Sequence, residues 1–138
     1  MRVCDLMTVK PITVAPEMPM LQARQRMVDE RIRHLIVVEH GRVVGIVTDR
    51  DIRLNLPSPA TSLSAWEINF LLAKLTVGAV MTSAVLVVDS DRPIAEAARI
   101  MIDHKIGALP VVDDGRLVGI VTESDFVRAM AGPVRDAA

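Results

Sequence analysis

The sequence predicts an α/β fold made of two similar repeats with a linker helix between them. Residues 45–51 read Gly-Ile-Val-Thr-Asp-Arg-Asp, and they return as Gly-Ile-Val-Thr-Glu-Ser-Asp at residues 119–125, which is 74 positions later. The same offset aligns residues 3–54 with residues 77–128 without a gap. An internal repeat of this kind determines the architecture of a chain. Two copies are too few for a solenoid, so we expect a pseudo-twofold pair packed face to face.

A buried helix is predicted near the start of each repeat, at about residues 19–31 in the first. Its apolar side chains follow the i, i+3, i+7 spacing of a helix that buries one face. They are Met20, Ala23 and Met27 in the first repeat, and Ile94, Ala97 and Met101 in the second. Asp91 precedes the second helix and is expected to cap its start.

Short strands surround this helix in each repeat. In the first repeat we predict them at residues 12–14, 35–38 and 42–48, with a final helix over residues 49–56. Asp114-Gly115 in the second repeat is a strong hairpin signal, because both turn positions need a positive φ. The second repeat is predicted to end in a helix over residues 123–130. Each repeat therefore reads strand–helix–strand–strand–helix.

The linker between the repeats is predicted to contain one helix. Ser64 and Glu67 form a Ser-x-x-Glu capping box at its start. Ile68, Leu71, Leu72 and Leu75 form its apolar face, and Trp66 and Phe70 supply most of the aromatic content. The two aromatic residues either pack within the chain or form a dimer contact. The predicted domains are residues 1–56 (first repeat), 57–76 (linker), 77–131 (second repeat) and 132–138 (a flexible tail).

Composition excludes several classes of function. The net charge of −1 and the 2% aromatic content argue against nucleic-acid binding by phosphate neutralisation or base stacking. Cys4 is the single cysteine, so neither an intrachain disulfide nor a cysteine metal cluster is expected. No apolar run approaches the roughly 20 residues of a membrane span, and no signal peptide is evident. We therefore expect a cytoplasmic protein without metal, nucleic acid or membrane partners.

The repeated Thr-x-x-Asp motif has two readings. Thr48 with Asp51, and Thr122 with Asp125, resemble capping boxes that only stabilise a helix start. A strand that turns into a helix also presents free N–H groups and a positive dipole end, which suit an anion. A threonine there can bond a phosphate or sugar oxygen, and an aspartate one turn later can accept from both ribose hydroxyls. Both readings use the same geometry.

Several spaced motifs recur together in both copies: Met-Thr, Pro-x-x-x-Ala-x-x-x-Met, Leu-x-Val-Val, x-Gly-Arg and Gly-x-x-Thr-x-x-Asp. Each copy resembles a cystathionine-β-synthase (CBS) domain, and the two together resemble a CBS pair, or Bateman module. The linker is also similar to that of stand-alone bacterial CBS proteins, including acetoin-utilisation proteins. The resemblance covers nearly all of the chain except the linker and tail.

The resemblance implies a regulatory module that senses adenosyl ligands, namely AMP, ADP, ATP or S-adenosylmethionine, and that has no catalysis of its own. It also implies a homodimer, a flat disc of four CBS domains that reports to an unidentified enzyme, channel or transporter. A dimerisation scaffold with no bound nucleotide is the alternative. An enzyme is disfavoured because Cys4, His34, His40 and His104 have neither metal-ligand nor catalytic-triad spacing. No cofactor is expected beyond the regulatory nucleotide.

The resemblance further implies two ligand clefts, each built from both repeats. The first is expected to join Thr122 and Asp125 to Pro11, Ile12, Arg33, His34, Leu35 and Ile36. The second is expected to join Thr48 and Asp51 to Val85, Leu86, Gly107, Ala108, Leu109 and Pro110. Ile36 departs from the family pattern, which usually has proline there. The first set adds two donors, Arg33 and His34, that can meet phosphate, so we expect phosphorylated adenosine to prefer the set that contains Asp125.

Overall fold

The computed structural model describes residues 1–132, and the end of the predicted tail, residues 133–138, lies outside them. The chain divides into two compact units. Unit 1 contains Met1–Pro11 and the chain from Leu86 onward, and unit 2 is Ile12–Val85. We use the term lead-in segments for residues 1–11 and 75–85. The first lead-in segment opens the first repeat, but it belongs to unit 1, which holds most of the second repeat. The second lead-in segment contains residues 77–85, which open the second repeat, but it belongs to unit 2.

Helices and short strands alternate along the chain, with the repeats visible in their order. The elements are α1 (Val3–Leu6), β1 (Thr8–Val9), β2 (Thr13–Val14), α2 (Met20–Glu30), β3 (His34–Glu39), β4 (Arg42–Thr48), α3 (Asp49–Leu54), α4 (Ala65–Ala73), α5 (Val77–Val80), α6 (Ile94–His104), β5 (Ala108–Asp113), β6 (Arg116–Thr122) and α7 (Glu123–Ala131). The α/β class predicted from the sequence is confirmed.

Each unit has one three-stranded sheet. The order is β2-β3-β4 in unit 2 and β1-β6-β5 in unit 1. β3–β4 and β5–β6 are antiparallel hairpins, and β2 runs parallel to β3. Asp114 and Gly115 at the second hairpin turn have φ of 50° and 79°, and His40 and Gly41 at the first have 51° and 76°. The positive φ expected at both turn positions is therefore confirmed.

The first strand of the second repeat is reduced to a single bridge, between Val88 and Val111. Val88 donates to the carbonyl of Pro110 at 3.1 Å, and its own carbonyl accepts from the amide of Val112 at 2.9 Å. Pro110 stands at the position of Ile36 in the first repeat, where β2 pairs over two residues. Proline has no N–H to donate, so the parallel ladder cannot continue back along the chain from Val88. The strand predicted here is thus shorter than its counterpart.

The lead-in segments supply the hydrogen bonds that begin the two buried helices. The amide of Met20 donates to the carbonyl of Leu75 at 2.9 Å, and the amide of Ile94 donates to the carbonyl of Met1 at 3.2 Å. The prediction that Asp91 caps α6 is wrong. Pro93 is the N-cap residue and makes no side-chain cap bond, and a backbone carbonyl from the lead-in segment satisfies the first amide instead.

Both cores are aliphatic and match the predicted helix stripes. Met20, Ala23 and Met27 are buried in unit 2, and Ala97 and Met101 are buried in unit 1, whereas Ile94 is partly exposed. Each lead-in segment adds one valine that is fully buried. These are Val77 in the core of unit 2 and Val3 in the core of unit 1. The core of each unit is therefore completed by a residue from the start of the other repeat.

The repeated glycine of each motif lies under a lead-in segment. A Cβ on Gly119 would lie 2.7 Å from Sδ of Met7 and 2.9 Å from the carbonyl oxygen of Thr8. A Cβ on Gly45 would lie 3.1 Å from the carbonyl oxygen of Thr82 and would collide with Sδ of Met81. A side chain at Gly119 would force the lead-in segment away, so glycine is required there by close approach. At Gly45 the end of the Met81 side chain would have to move and the carbonyl of Thr82 would have to shift slightly.

The linker helix α4 packs only partly on unit 2. Ser64 accepts from the amide of Glu67 at 3.2 Å, so the first half of the predicted capping box is present. The carboxylate of Glu67 accepts from the hydroxyl of Ser64 at 3.0 Å and not from its amide, so the reciprocal half is not formed. Leu72 and Leu75 pack against the core of unit 2, whereas Leu71, which we predicted on the buried face, is 50% exposed. The helix has no fully buried residue because only one edge of it meets the core.

Alanine at Gly119 is expected to cost about 1–3 kcal/mol of unfolding free energy, the usual cost of overpacking. Alanine at Gly45 is expected to cost less, because its nearest neighbour is the flexible end of Met81, whereas Gly119 also meets a backbone oxygen at 2.9 Å. Urea denaturation of Gly119→Ala, Gly45→Ala and the double variant Gly45→Ala/Met81→Ala measures this. If Met81→Ala recovers none of the cost of Gly45→Ala, the close approach does not explain the glycine.

Candidate functional site

In unit 2 the candidate site begins where β4 ends at Thr48. The hydroxyl of Thr48 accepts from the amide of Asp51 at 3.1 Å, and Oδ2 of Asp51 accepts from the amide of Thr48 at 2.9 Å. This is the reciprocal capping box predicted from the sequence, and it holds the carboxylate at the first turn of α3. A carboxylate offers about four acceptor positions, and the cap uses one of them. Among the described residues, no hydrogen bond is recorded to Oδ1 of Asp51.

In unit 1 the equivalent aspartate is more deeply enclosed. Asp125 is 4% exposed and is the buried charged residue of the described chain. Its Oδ2 accepts from the amide of Thr122 at 2.8 Å and from the hydroxyl of Thr122 at 3.2 Å. Its Oδ1 accepts from Nη2 of Arg128, whose own side chain is 69% exposed. Both carboxylate oxygens of Asp125 are therefore engaged within α7 and its cap.

The segments that precede β3 and β5 lie beside these two caps. The amide of Asp49 donates to the carbonyl of Arg33 at 3.0 Å, and His34 pairs with Thr48 across the sheet. In unit 1 the amide of Glu123 donates to the carbonyl of Gly107 at 3.1 Å. Ala108 pairs with Thr122. Within each unit, the Thr-x-x-Asp cap and the start of the central strand thus form one surface.

The other predicted ligand-binding residues are divided between the two units. Unit 1 holds Pro11, Leu86, Gly107, Ala108, Leu109, Pro110, Thr122 and Asp125, and unit 2 holds Ile12, Arg33, His34, Leu35, Ile36, Thr48, Asp51 and Val85. Leu35, Ile36, Leu109 and Pro110 are all buried. Leu35 and Leu109 belong to the cores of their units, whereas Ile36 and Pro110 lie on the opposite face of each sheet, because successive side chains of a strand alternate. Arg33 is exposed, and no ion pair is recorded for it among the described residues.

Two polar interactions in unit 1 were not predicted from the sequence. One is the Arg128–Asp125 pair, which the i, i+3 spacing on a helix would have indicated. The other joins distant residues: the amide and hydroxyl of Ser90 donate to Oδ1 and Oδ2 of Asp113, at 2.9 and 2.5 Å. The hydroxyl and then the amide of Ser90 hold the pKa of Asp113 below its usual range. This clamp ties the segment before α6 to the hairpin, and the first repeat has Pro16 and Glu39 in its place.

Metal and membrane sites are not indicated in residues 1–132. These residues contain no group of three or more His, Cys, Asp or Glu side chains arranged to hold a metal ion. None of the helices in this part of the chain has the length and apolar character needed to cross a membrane.

The sequence matches the model of the CBS domain family twice, at residues 3–58 and 77–132. The chain belongs to the CBS domain family and carries two copies of the domain, as the resemblance implied.

Three solved structures illustrate the relationship. The CBS domain pair of protein MJ0100, in complex with 5′-methylthioadenosine and S-adenosyl-L-methionine, has 31% identity and a TM-score of 0.79, covering 96% of this chain and 97% of that chain. CBSX2 in complex with AMP has 34% identity and a TM-score of 0.79, covering 97% and 99%. A Vibrio cholerae protein assigned to acetoin utilization (AcuB) has 34% identity and a TM-score of 0.77, covering 95% and 90%.

The chain spans less than two thirds of the length of the first curated relatives that it matches. It is 34% identical to L-aspartate semialdehyde sulfurtransferase of Methanocaldococcus jannaschii over 93% of its own length, but it covers only 23% of that enzyme. The similarity is therefore to one part of that enzyme.

Proposed function

We propose that this chain is a regulatory module that binds an adenosyl ligand and has no catalytic activity of its own. The observation that carries the proposal is the recurrence of one arrangement at two helix starts. In both repeats, a backbone amide holds an aspartate carboxylate at the first turn, at 2.9 Å for Asp51 and 2.8 Å for Asp125. A fixed carboxylate is a ready acceptor for the two hydroxyls of a ribose.

Similar proteins support the choice of ligand. The CBS pair of MJ0100 was solved with 5′-methylthioadenosine and S-adenosyl-L-methionine, and CBSX2 was solved with AMP. The ligands in both complexes contain an adenosyl group, whereas their charges differ. We therefore propose AMP, ADP, ATP or S-adenosylmethionine as the ligand of this chain, bound by the residues predicted from the sequence.

The proposed target is an enzyme or transporter whose activity follows ligand binding. The sulfurtransferase relative contains a matching region as 23% of its length, so a module of this kind occurs together with a catalytic region in one protein. We further propose that the module acts in the cytoplasm. One cysteine gives it no disulfide that would need an oxidising compartment.

Substitution of Asp51 and Asp125 by asparagine distinguishes a role in ligand binding from a role in helix capping alone. At Asp51 the carbonyl oxygen of asparagine can still accept the cap bond from the threonine amide, so the unfolding midpoint should change little. Asp125→Asn also removes the anionic partner of Arg128 at a buried position, so its unfolding midpoint should fall. Loss of a hydrogen bond to a charged group should weaken ligand binding by about 1.5–3 kcal/mol. We expect Asp125→Asn to remove most high-affinity binding and Asp51→Asn to cost less.

Thermal-shift assays followed by calorimetry measure this, with AMP, ADP, ATP, S-adenosylmethionine and NAD as ligands. A ligand at 100 times its dissociation constant should add about 2.7 kcal/mol to the stability of the unmodified chain. If both asparagine variants bind as tightly as the unmodified chain, the aspartates only cap their helices.

Arg33→Ala is expected to weaken AMP binding by roughly tenfold and to leave adenosine binding unchanged. The guanidinium is exposed and has no recorded acidic partner in residues 1–132, and its proposed partner is phosphate, which adenosine lacks. Arg24→Ala, which removes another exposed arginine from α2, is the control. Calorimetry with AMP and adenosine decides the matter, and an equal loss for both ligands would contradict a phosphate contact.

We also propose that the chain forms a homodimer. Trp66 and Phe70 on α4 stack with ring centroids 5.7 Å apart, yet they remain 73% and 48% exposed. Val28 and Ile102, which are equivalent in the two repeats, are 64% and 65% exposed. Exposed apolar side chains in this number suit an interface.

Light scattering at micromolar concentration is expected to give twice the monomer mass. Trp66→Ala/Phe70→Ala should shift the chain toward monomer if the linker helix forms the contact. Ile102→Ala on α6 is the comparison. If that change alone dissociates the dimer, the dimer contact is formed by the helices of the repeats and not by the linker helix. A chain that dimerises but binds none of the five ligands would favour the alternative function of a scaffold.

A further inference from the structure

The two Thr-x-x-Asp motifs differ in where the next arginine lies. In the second repeat Arg128 follows Asp125 by three residues, and its Nη2 donates to Oδ1 of that aspartate. The equivalent position in the first repeat is Leu54, which is 71% exposed. The first repeat has its arginine one position earlier, at Arg53.

This one-residue difference directs the two arginines to different carboxylates. Nε of Arg53 lies 3.1 Å from Oδ2 of Asp49, an exposed side chain outside the cap. Arg128 instead meets the aspartate of the motif, because residues three apart lie on the same face of a helix. Within residues 1–132, Asp51 thus has no arginine partner, whereas Asp125 has one.

A ribose that approaches Asp125 must compete with this arginine. The side chain of Asp125 is 5% exposed, and its Oδ2 is already engaged by the amide and hydroxyl of Thr122. The oxygen that the cap leaves is Oδ1, which accepts from Arg128. The side chain of Arg128 is 69% exposed, so it can turn away without disturbing the core.

The cost of moving Arg128 depends on the charge of the ligand. A neutral nucleoside breaks the Asp125–Arg128 bond and offers the guanidinium nothing in return. A ligand with a phosphate supplies a new anionic partner, and guanidinium binds phosphate in bidentate geometry. We propose that Arg128 makes the Asp125 site selective for phosphorylated adenosine over neutral adenosine, whereas the Asp51 site lacks this selectivity. This inference rests on the proposed function, and it assigns a specificity-determining role to Arg128.

The test measures the ratio of AMP affinity to adenosine affinity by calorimetry, in a chain carrying Asp51→Asn so that one site is observed. Arg128→Leu, which installs the residue of the first repeat, is expected to lower this ratio at least about fivefold, or about 1 kcal/mol. The change should come mainly from tighter adenosine binding. Arg128→Gln keeps a neutral donor to Asp125 and is used if the leucine variant unfolds at a lower temperature.

Arg99→Leu is the matched control. Arg99 pairs with Asp103 at 3.8 Å on α6, in the same unit, and its removal changes the net charge equally. A ratio that falls in the Arg128 variants but not in Arg99→Leu supports the inference. A ratio that stays within twofold in both Arg128 variants, or that falls equally in Arg99→Leu, overturns it while AMP binding itself keeps the proposed function intact. If the Asp51→Asn chain and the unmodified chain bind neither ligand, the proposed function fails and the inference fails with it.

The reverse exchange gives an independent reading. Leu54→Arg places an arginine three residues after Asp51, at the spacing that Arg128 has from Asp125. In a chain carrying Asp125→Asn, this change is expected to weaken adenosine binding at least about fivefold and to affect AMP less. Equal weakening of both ligands would mean that the arginine only obstructs the site, and it would overturn a charge-dependent role.

Discussion

The close approach of each lead-in segment to the repeated glycine is the constraint on which both units depend. The backbone of Thr8 passes over Gly119 too closely for a Cβ, and at Gly45 the second lead-in segment approaches through the side chain of Met81 and the carbonyl oxygen of Thr82. The same segments supply the first hydrogen bonds of the two buried helices and one buried valine to each core. Neither unit is complete without the stretch of chain that opens the other repeat. The internal repeat and the compact unit are consequently different divisions of the same chain.

This arrangement also explains why one short motif serves both fold and site. The glycine admits the lead-in segment, the next residues continue the strand, and the threonine ends it by capping the following helix. The aspartate then returns its carboxylate to the amide of that threonine, at 2.9 Å in the first repeat. Capping and ligand binding are therefore compatible, because a carboxylate that accepts one cap bond keeps further acceptor positions. The bond that stabilises the helix start also fixes the orientation that a ribose acceptor would need.

Local patterns predicted most of the elements, whereas contacts between distant residues were missed. The stripe at Met20, Ala23 and Met27 predicted a buried helix because helical periodicity is a property of neighbouring residues. The turn at Asp114-Gly115 followed from backbone preference alone. The cap assigned to Asp91 failed because the competing acceptor, the carbonyl of Met1, lies more than 90 residues away in the sequence. Likewise, no local sequence pattern indicates the pairing of Ser90 with Asp113. Of the contacts within the candidate site, only the Thr-x-x-Asp cap was predicted from the sequence.

The two repeats differ at single positions that change local hydrogen bonding without changing the fold. Pro110 in place of Ile36 removes one amide and shortens the first strand of the second repeat, although the surrounding residues keep their pattern. Arg128 in place of Leu54 adds a cation to an aspartate that is already buried. Neither substitution alters the order of elements, because each acts on a single hydrogen-bonding group. Two repeats that must accept equivalent lead-in segments can therefore still differ in the chemistry of their helix starts. There, a single side chain determines the charge that a ligand encounters at the aspartate.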